Sequence, residues 1–434
     1  MRRAAHQLLL VALLSVGLGG CLGGDDDGGR KASGRRSQGV TNAGLGDDLA
    51  ALQRIADRNH GTRAAGTPGY DQSADYVAAR LKDAGWTVTR QPVPFTYFRL
   101  NHASFTVGGR KLTRADDFQV YSYSGAGDAA GRLRAIGLGC SAGDFDGLQP
   151  GEIPLAGRGE CFTRVKAQNA ERAGAKALVV QEDVRNRRGV PSGTLAAPGI
   201  RIPVVVVSAR ALGGDGNGSR AVVSVDATSR GGRTQNVIAE TPGGSVDHVV
   251  MAGGHLDSVA GGPGIDDNGS GAATLIEVAE AIGPNPPGAK VRVAFWAAEE
   301  LGLLGSRRYV RSLDRADRGR IDAYINLDMV GSPNPVPAVY ADGDARLAKV
   351  LRDADGGHLG EVSVAGSSDH TFFQLAGIPV NGLYTGSDEA GPGGKPRDPC
   401  YHLACDTIDN VDRPMLLRMA RTTAAALRVL SAQA

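Results

Sequence analysis

The stretch His248-Val249-Val250-Met251-Ala252-Gly253-Gly254-His255-Leu256-Asp257 runs from β-forming apolar residues straight into an imidazole and a carboxylate. The same rhythm continues downstream. Residues 272–282 have helical spacing, 291–297 are strand-like, 301–313 helical, 324–327 strand-like and 346–354 helical. Such alternation predicts an α/β fold, a mixed β-sheet sandwiched by helices. A last helix over 413–430 carries apolar residues at helical spacing and is expected to dock on the sheet.

Upstream, the chain offers an amphipathic helix from Asp47, a Thr67-Pro68-Gly69 turn, a second helix over 73–83 closed by Gly85, and a strand over 86–95. Residues 46–105 thus read as the first part of the same domain as 229–434. Between them, 106–228 has a different texture: short β-like runs at 133–138 and 202–207, many glycines and one helix over 165–173. It reads as an inserted, mostly-β domain.

At the amino terminus, Arg2 and Arg3 precede an apolar run over 8–18 that is too short to span a bilayer, so residues 1–21 read as a signal peptide. The run ends in Leu18-Gly19-Gly20-Cys21, which resembles a bacterial lipobox. Cys21 would then carry a lipid that anchors an exported chain to the membrane. An ordinary secretory signal cleaved nearby is the alternative. Residues 22–45, rich in Gly, Asp, Arg and Ser, have almost nothing apolar to bury and read as a flexible tether. No mature transmembrane segment is expected. Cys140, Cys161, Cys400 and Cys405 remain, and in an oxidising compartment they imply two disulfides. Pairing near neighbours gives 140 with 161 and 400 with 405, one of three formal connectivities. A length of 434 residues suits two to three domains. A net charge of +2, without Lys and Arg interleaved with aromatics, argues against a nucleic-acid partner.

Carboxylates and imidazoles gather in Gly254-His255-Leu256-Asp257, Gly264-Ile265-Asp266-Asp267-Asn268-Gly269, Ala298-Glu299-Glu300-Leu301, Asn326-Leu327-Asp328-Met329 and Cys400-Tyr401-His402-Leu403-Ala404-Cys405. Most stand where strands give way to loops, the place where open α/β sheets present ligands. Two histidines with several carboxylates suit Zn²⁺. One ion would under-use the set, whereas two ions about 3.5–4 Å apart need a bridging carboxylate.

These residues resemble the zinc aminopeptidases of the M28 type, in particular the secreted Streptomyces-like enzymes. The likeness is carried by His255-Leu256-Asp257-Ser258-Val259, Gly262-Pro263-Gly264-Ile265 with Asp267, Phe295-Trp296 leading to Glu299-Glu300-Leu301-Gly302, Leu327-Asp328-Met329, Cys400-Tyr401-His402 and Ala65-Gly66-Thr67-Pro68-Gly69-Tyr70. The resemblance implies two Zn²⁺ ions per chain, with Asp267 bridging, His255 and Asp328 on one ion, and Glu300 and His402 on the other. It makes Glu299 the general base and Tyr401 the donor to the developing oxyanion. The ions would lower the pKa of a bound water toward about 7. Substrates would be peptides with a free amino terminus. Asp257 is expected to orient an imidazole by accepting its other N–H. Gly159-Glu160-Cys161-Phe162, Lys166 to Ala175 and Ala177-Leu178-Val179-Val180 resemble a protease-associated (PA) domain, a non-catalytic cover.

The pattern departs at Gly366-Ser367-Ser368-Asp369-His370, where the Streptomyces-like enzymes carry an Arg in place of Ser367. Preference among amino-terminal residues is expected to differ accordingly. Asn268, after the bridging Asp, is a variant that leaves the ligand intact. His370, Asp369, His248, His358, His60 and Asp266 read as structural. A serine-hydrolase reading of Gly139-Cys140-Ser141-Ala142-Gly143 fails because residues 144–154 are loop-like where a nucleophile elbow requires a helix. A carboxypeptidase, a glutaminyl cyclase or another amidohydrolase on the same dizinc site stays open, as does a non-catalytic peptidase-like binding protein. No motif indicates calcium, whose involvement is left open with the assembly state.

Overall fold

The computed structural model describes residues 39–433 apart from 183–189, 192 and 215. The expected signal peptide, Cys21 and the tether up to residue 38 lie outside the described residues. Helices α1 (Asn42–Arg58) and α2 (Pro68–Asp83) precede strands β1 (Thr87–Val107), β2 (Arg110–Lys111), β3 (Phe118–Val120) and β4 (Gly127–Ala135). Then come β5 (Ile153–Gly157), α3 (Thr163–Arg172), β6 (Leu178–Glu182), β7 (Val204–Ser208), α4 (Ala209–Leu212), β8 (Arg220–Glu240) and β9 (Ser245–His255). The remainder is α5 (Gly269–Ile282), β10 (Ala289–Trp296), α6 (Leu304–Ser312), α7 (Arg315–Gly319), β11 (Ile321–Leu327), β12 (Ala338–Tyr340), α8 (Ala345–Asp355), β13 (Gly360–Val362), α9 (His370–Leu375), β14 (Val380–Tyr384) and α10 (Arg413–Ala432). Among the described residues no helix is long and apolar enough to cross a membrane.

The strands form one mixed sheet in the order β13-β12-β14-β11-β9-β10-β8-β4-β5-β6-β7-β3. Its catalytic half has β9 at the centre, with β10 and β11 parallel to it on either side. Leu45, Leu49, Val77, Leu81, Leu275, Ile276, Leu416 and Leu427 from α1, α2, α5 and α10 build the core over one face. Tyr309, Val310 and Phe373 from α6 and α9 cover the other face against Met251, Trp296 and Tyr324. Helix α5 is buried along nearly its whole length, as a helix apolar on all sides requires.

Two boundaries differ from the expectation. Residues 42–45, expected in the tether, form the first turn of α1: Thr41 caps it by accepting the Gly44 N–H at 3.0 Å, and Leu45 is fully buried. The insert, expected over 106–228 as a mostly-β domain, shares one sheet with the segments on either side of it. Strands β1 and β8 pair antiparallel without interruption from Thr87↔Glu240 to Val107↔Ala221, apart from one bulge at residue 101. Near Glu240 strand β8 pairs with β10, and near Arg220 it pairs with β4. One ladder therefore serves both halves. The expected pairings are present as the disulfides Cys140–Cys161 and Cys400–Cys405.

Candidate metal centre

The register of the sheet sets the site. Trp296 pairs with His255 and Asn326 pairs with Gly253, so β9, β10 and β11 end at one level. His255 closes β9, Glu299 and Glu300 follow β10, and Asp328 follows β11. Asp267 comes from the loop between β9 and α5, and His402 from the loop closed by Cys400–Cys405. The site thus opens in the crevice beyond the carboxyl ends of parallel strands.

Five expected ligands converge there. His255 Nε2 stands 3.1 Å from Asp267 Oδ1 and 3.2 Å from Asp328 Oδ1. His402 Nε2 stands 3.1 Å from Asp267 Oδ2 and 3.1 Å from Glu300 Oε2. Asp267 therefore turns one oxygen to each histidine. The ligand atoms of His255, Asp267 and Asp328 lie within 4.8 Å of one another, as do those of Asp267, Glu300 and His402.

Whether a cation fits is decided by the donor set. His255 Nδ1 lies 2.9 Å from the Asp257 carbonyl, which can only accept, so Nδ1 carries the proton. In the neutral ring Nε2 then aims a lone pair at two carboxylate oxygens, an arrangement a bound cation reconciles. The buried Glu300 Oε1 also has no hydrogen-bond partner. A tetrahedral zinc with bonds near 2.0–2.1 Å separates its ligand atoms by about 3.3 Å. The observed spacings agree with that geometry.

Asp257 accepts the other N–H of His255 through its backbone rather than its side chain. Its carbonyl holds His255, whereas its carboxylate is 3.8 Å from Nδ1 and instead accepts the Glu299 N–H at 3.1 Å. Asp257 thereby links β9 to the turn that bears Glu299. Burial pushes the Glu299 carboxyl well above its ordinary range; nearby Glu300, Asp328 and Asp369 push the same way against the opposing pull of His255. A Glu299 oxygen is within 4.8 Å of ligand atoms of His255 and Glu300. The Tyr401 ring stacks on His402 with centroids 3.8 Å apart. Burial, with Asp267, Glu300 and Glu299 nearby, raises the Tyr401 phenol well above its ordinary value, so it remains a donor.

Sequence reasoning missed several supports. Arg63, fully buried, donates to the carbonyls of Leu256 at 2.5 Å, Pro263 at 2.9 Å and Gly264 at 2.5 Å, closing the loop between two ligands. Gly264 has φ +61°, and a β-carbon there would meet the Asp267 carbonyl at 2.3 Å. Asp406 accepts the N–H groups of Asp266 at 2.8 Å and Asp267 at 3.0 Å. Ser368 donates to Asp328 Oδ2 at 2.6 Å and accepts from Asn326 at 2.9 Å, continuing through Tyr324 to Trp296. Asn268 caps α5 through Gly271 and donates to the Leu327 carbonyl at 2.8 Å beside Asp328.

Of the residues read as structural, Asp369 lies near enough to Glu299 to raise its carboxyl, and Asp266 shares Asp406 with Asp267. His248 pairs with Asp322 at 2.9 Å on the exposed side of the sheet. His370 is buried against the Tyr340 ring, where burial lowers its pKa to about 4. Ser367 is exposed and bonded only locally, to the Val364 carbonyl at 2.8 Å.

With this geometry in view, the relatives can be weighed. The model of "Peptidase family M28" matches residues 236–427, and that of the "PA domain" matches 130–212. A chain from Mycobacterium tuberculosis named "Probable lipoprotein aminopeptidase LpqL" is 38% identical over 85% of this chain and 80% of its own length. This chain belongs to peptidase family M28. Another relative, leupeptin-inactivating enzyme 1 of Streptomyces exfoliatus, is 41% identical over 47% of this chain and 50% of its own length. Among solved structures, a zinc aminopeptidase from Bacillus subtilis is similar with a TM-score of 0.71 and 27% identity, covering 91% of this chain and 95% of the other. The M28 match encloses four of the five converging ligand segments upstream of residue 400 and the fifth, around His402, as well. The PA match falls within the insert.

Proposed function

We propose that this M28 zinc aminopeptidase works with two Zn²⁺ ions, one held by His255 and Asp328, the other by Glu300 and His402, with Asp267 shared. The observation that carries this reading is Asp267 itself, whose two oxygens stand 3.1 Å from two different imidazoles. Three carboxylates against two dications leave little net charge to bury. Bound there, zinc supplies Lewis acidity and a lowered pKa for water.

The chain's own residues do the rest. Glu299, whose N–H is held by the Asp257 carboxylate, takes the proton of the attacking water and returns it to the leaving amine. Tyr401, still protonated beside His402, donates its O–H to the carbonyl oxygen as negative charge develops. Asp257 fixes the His255 tautomer through its carbonyl and Glu299 through its carboxylate. The acidic surroundings suit the cationic amino terminus of a peptide substrate.

Export and anchoring through Cys21 belong to the same proposal, supported by the Mycobacterium tuberculosis relative, whose name includes the word lipoprotein. Loss of labelled-palmitate incorporation in C21S tests it.

The deciding assay uses free-amino and amino-blocked aminoacyl anilides, with a chelator and zinc add-back, together with a zinc count. Cleavage limited to free-amino substrates, lost on chelation and restored by zinc, with two zinc ions per chain, is expected. Equal cleavage of blocked substrates, or indifference to chelation, would defeat the proposal.

A further inference from the structure

The turn that bears Glu299 and Glu300 is held within its own domain by Asp257, which accepts the Glu299 N–H, and is packed on another side by the PA domain. Ala298 has φ +54°, Gly302 φ +110° and Leu303 φ +58°, so three residues around the carboxylate pair occupy the left-handed half of backbone space. Non-glycine residues hold such angles only where their surroundings over-determine them. Inside the turn, Gly302 and Leu303 both donate to the Glu299 carbonyl, at 2.7 and 2.8 Å. These bonds close the turn but do not seat it.

A second seat, beside the Asp257 bond, is in the PA domain. Leu301, next to Glu300, packs against two cores at once: the catalytic core and the cluster that contains Tyr121, Tyr123, Leu195 and Ile200. Gly302 faces Ala196, whose Cβ would stand 3.3 Å from a β-carbon built on the glycine. Ala196 itself has φ +62°. Its segment is clamped on the far side by Arg164 of α3, which donates to the carbonyls of Leu195 at 3.0 Å, Ala197, and Pro198 at 3.2 Å. The Leu195 N–H donates to the Ser122 carbonyl at 2.9 Å. A continuous path of contact thus runs from Arg164 through residues 195–198 to Leu301 and Gly302, and so to Glu300.

We infer that the PA domain is a positioning element of the metal centre, with Arg164, Leu301 and Gly302 as its positioning residues and Glu300 as the ligand they set. This rests on the two-zinc reading above. Of the two ions, only the one shared by Glu300 and His402 depends on the turn. Apart from the shared Asp267, the His255 and Asp328 site takes its proposed ligands from the ends of β9 and β11 and none from the turn. The PA domain therefore controls the occupancy of one zinc selectively, which a cover over the entrance would not do.

The test measures the two zinc dissociation constants separately, by chelator competition on the full folded chain. Wild type is compared with R164A, R164K, L301A and L301M. V180A serves as the control, because Val180 is a buried residue of the same PA core that lies outside both the 195–198 segment and the Arg164 clamp. R164A and L301A are expected to weaken one zinc about 10-fold and leave the other unchanged, with R164K and L301M recovering part of the loss. Circular dichroism on each variant keeps loss of fold separate from loss of metal. Equal weakening of both ions, an R164A affinity equal to wild type, or a V180A effect as large as that of L301A would each overturn this inference alone. A single zinc in the wild-type chain would overturn the two-ion reading and this inference with it.

Discussion

Asp406 accepts the backbone N–H of Asp267 at 3.0 Å with one carboxylate oxygen, while its other oxygen takes the N–H of Asp266 at 2.8 Å. The disulfide loop that delivers His402 is thereby tied to the carboxylate between the two histidines. D406N keeps one acceptor and turns an amide N–H₂ toward a second N–H. It is expected to lower unfolding stability by about 1–3 kcal/mol and zinc affinity by about 10-fold. Urea midpoints and chelator competition check both; an unchanged pair of values would count against the tie.

Glu299 stands beside the proposed ligands without being one of them. E299Q is expected to retain both zinc ions while kcat falls about 10²- to 10⁴-fold. Elemental analysis beside steady-state kinetics separates the roles. Loss of zinc with E299Q would make it a ligand, not a base.

Tyr401 is assigned to the developing oxyanion alone, so its loss should appear in kcat with KM little changed. Y401F is expected to cost about 10²- to 10³-fold in kcat. A rise in KM at constant kcat would instead make the phenol a substrate-binding group.

Arg63 saturates three carbonyls inside the protein. R63M leaves them without donors and is expected to destabilise the fold by roughly 3 kcal/mol. R63K should recover only part of this, because a single ammonium cannot reproduce the guanidinium fork. Thermal or urea unfolding of the two variants would show the order; lysine matching wild type would be evidence against the fork.

His370 gives stability a specific pH dependence. Burial holds its folded-state pKa near 4 against 6.5 for the ordinary ring, with Asp342 and Asp328 partly opposing. Between those values the unfolded chain binds a proton that the folded chain does not, so stability falls as pH drops from 6.5 toward 4. The loss amounts to roughly 3 kcal/mol. H370Q should flatten this part of the profile, read as the difference between the two proteins' urea midpoints at pH 7 and pH 4.5. Identical slopes would assign the acid lability elsewhere.

Most of the proposed ligands were legible because they break a pattern: His255, Glu300 and Asp328 come at the ends of apolar runs, and His402 lies between two cysteines. Arg63, Ser368 and Asp406 break no pattern. Their partners are backbone groups or side chains far along the chain, and one arginine before a Gly-Thr-Pro-Gly turn is indistinguishable from a surface residue until the fold brings Leu256 and Gly264 to it. The start of α1 was hidden for another reason. Gly44 and Gly46 lower helix propensity, and only the burial of Leu45 and the Thr41 cap make that turn form. The length of β1 and β8 was hidden too. Residues 226–233 mix Asp, Thr, Ser, Arg and Gly and are mostly exposed, so they show no two-residue alternation. Their pairing with β1 is what makes them strand.

The two ends of that ladder also close loops of different length. Val107 meets Ala221 at one end and Thr87 meets Glu240 at the other, so the contact nearest the insert closes the shorter loop. Closure entropy rises with loop length, and the PA core, once formed, has already brought Val107 and Ala221 together. Pairing that starts at that end would run toward Thr87 and bring Glu240 of β8 to Arg292 of β10 last. On that order, folding of the inserted domain would precede completion of the sheet on which the peptidase chemistry is built.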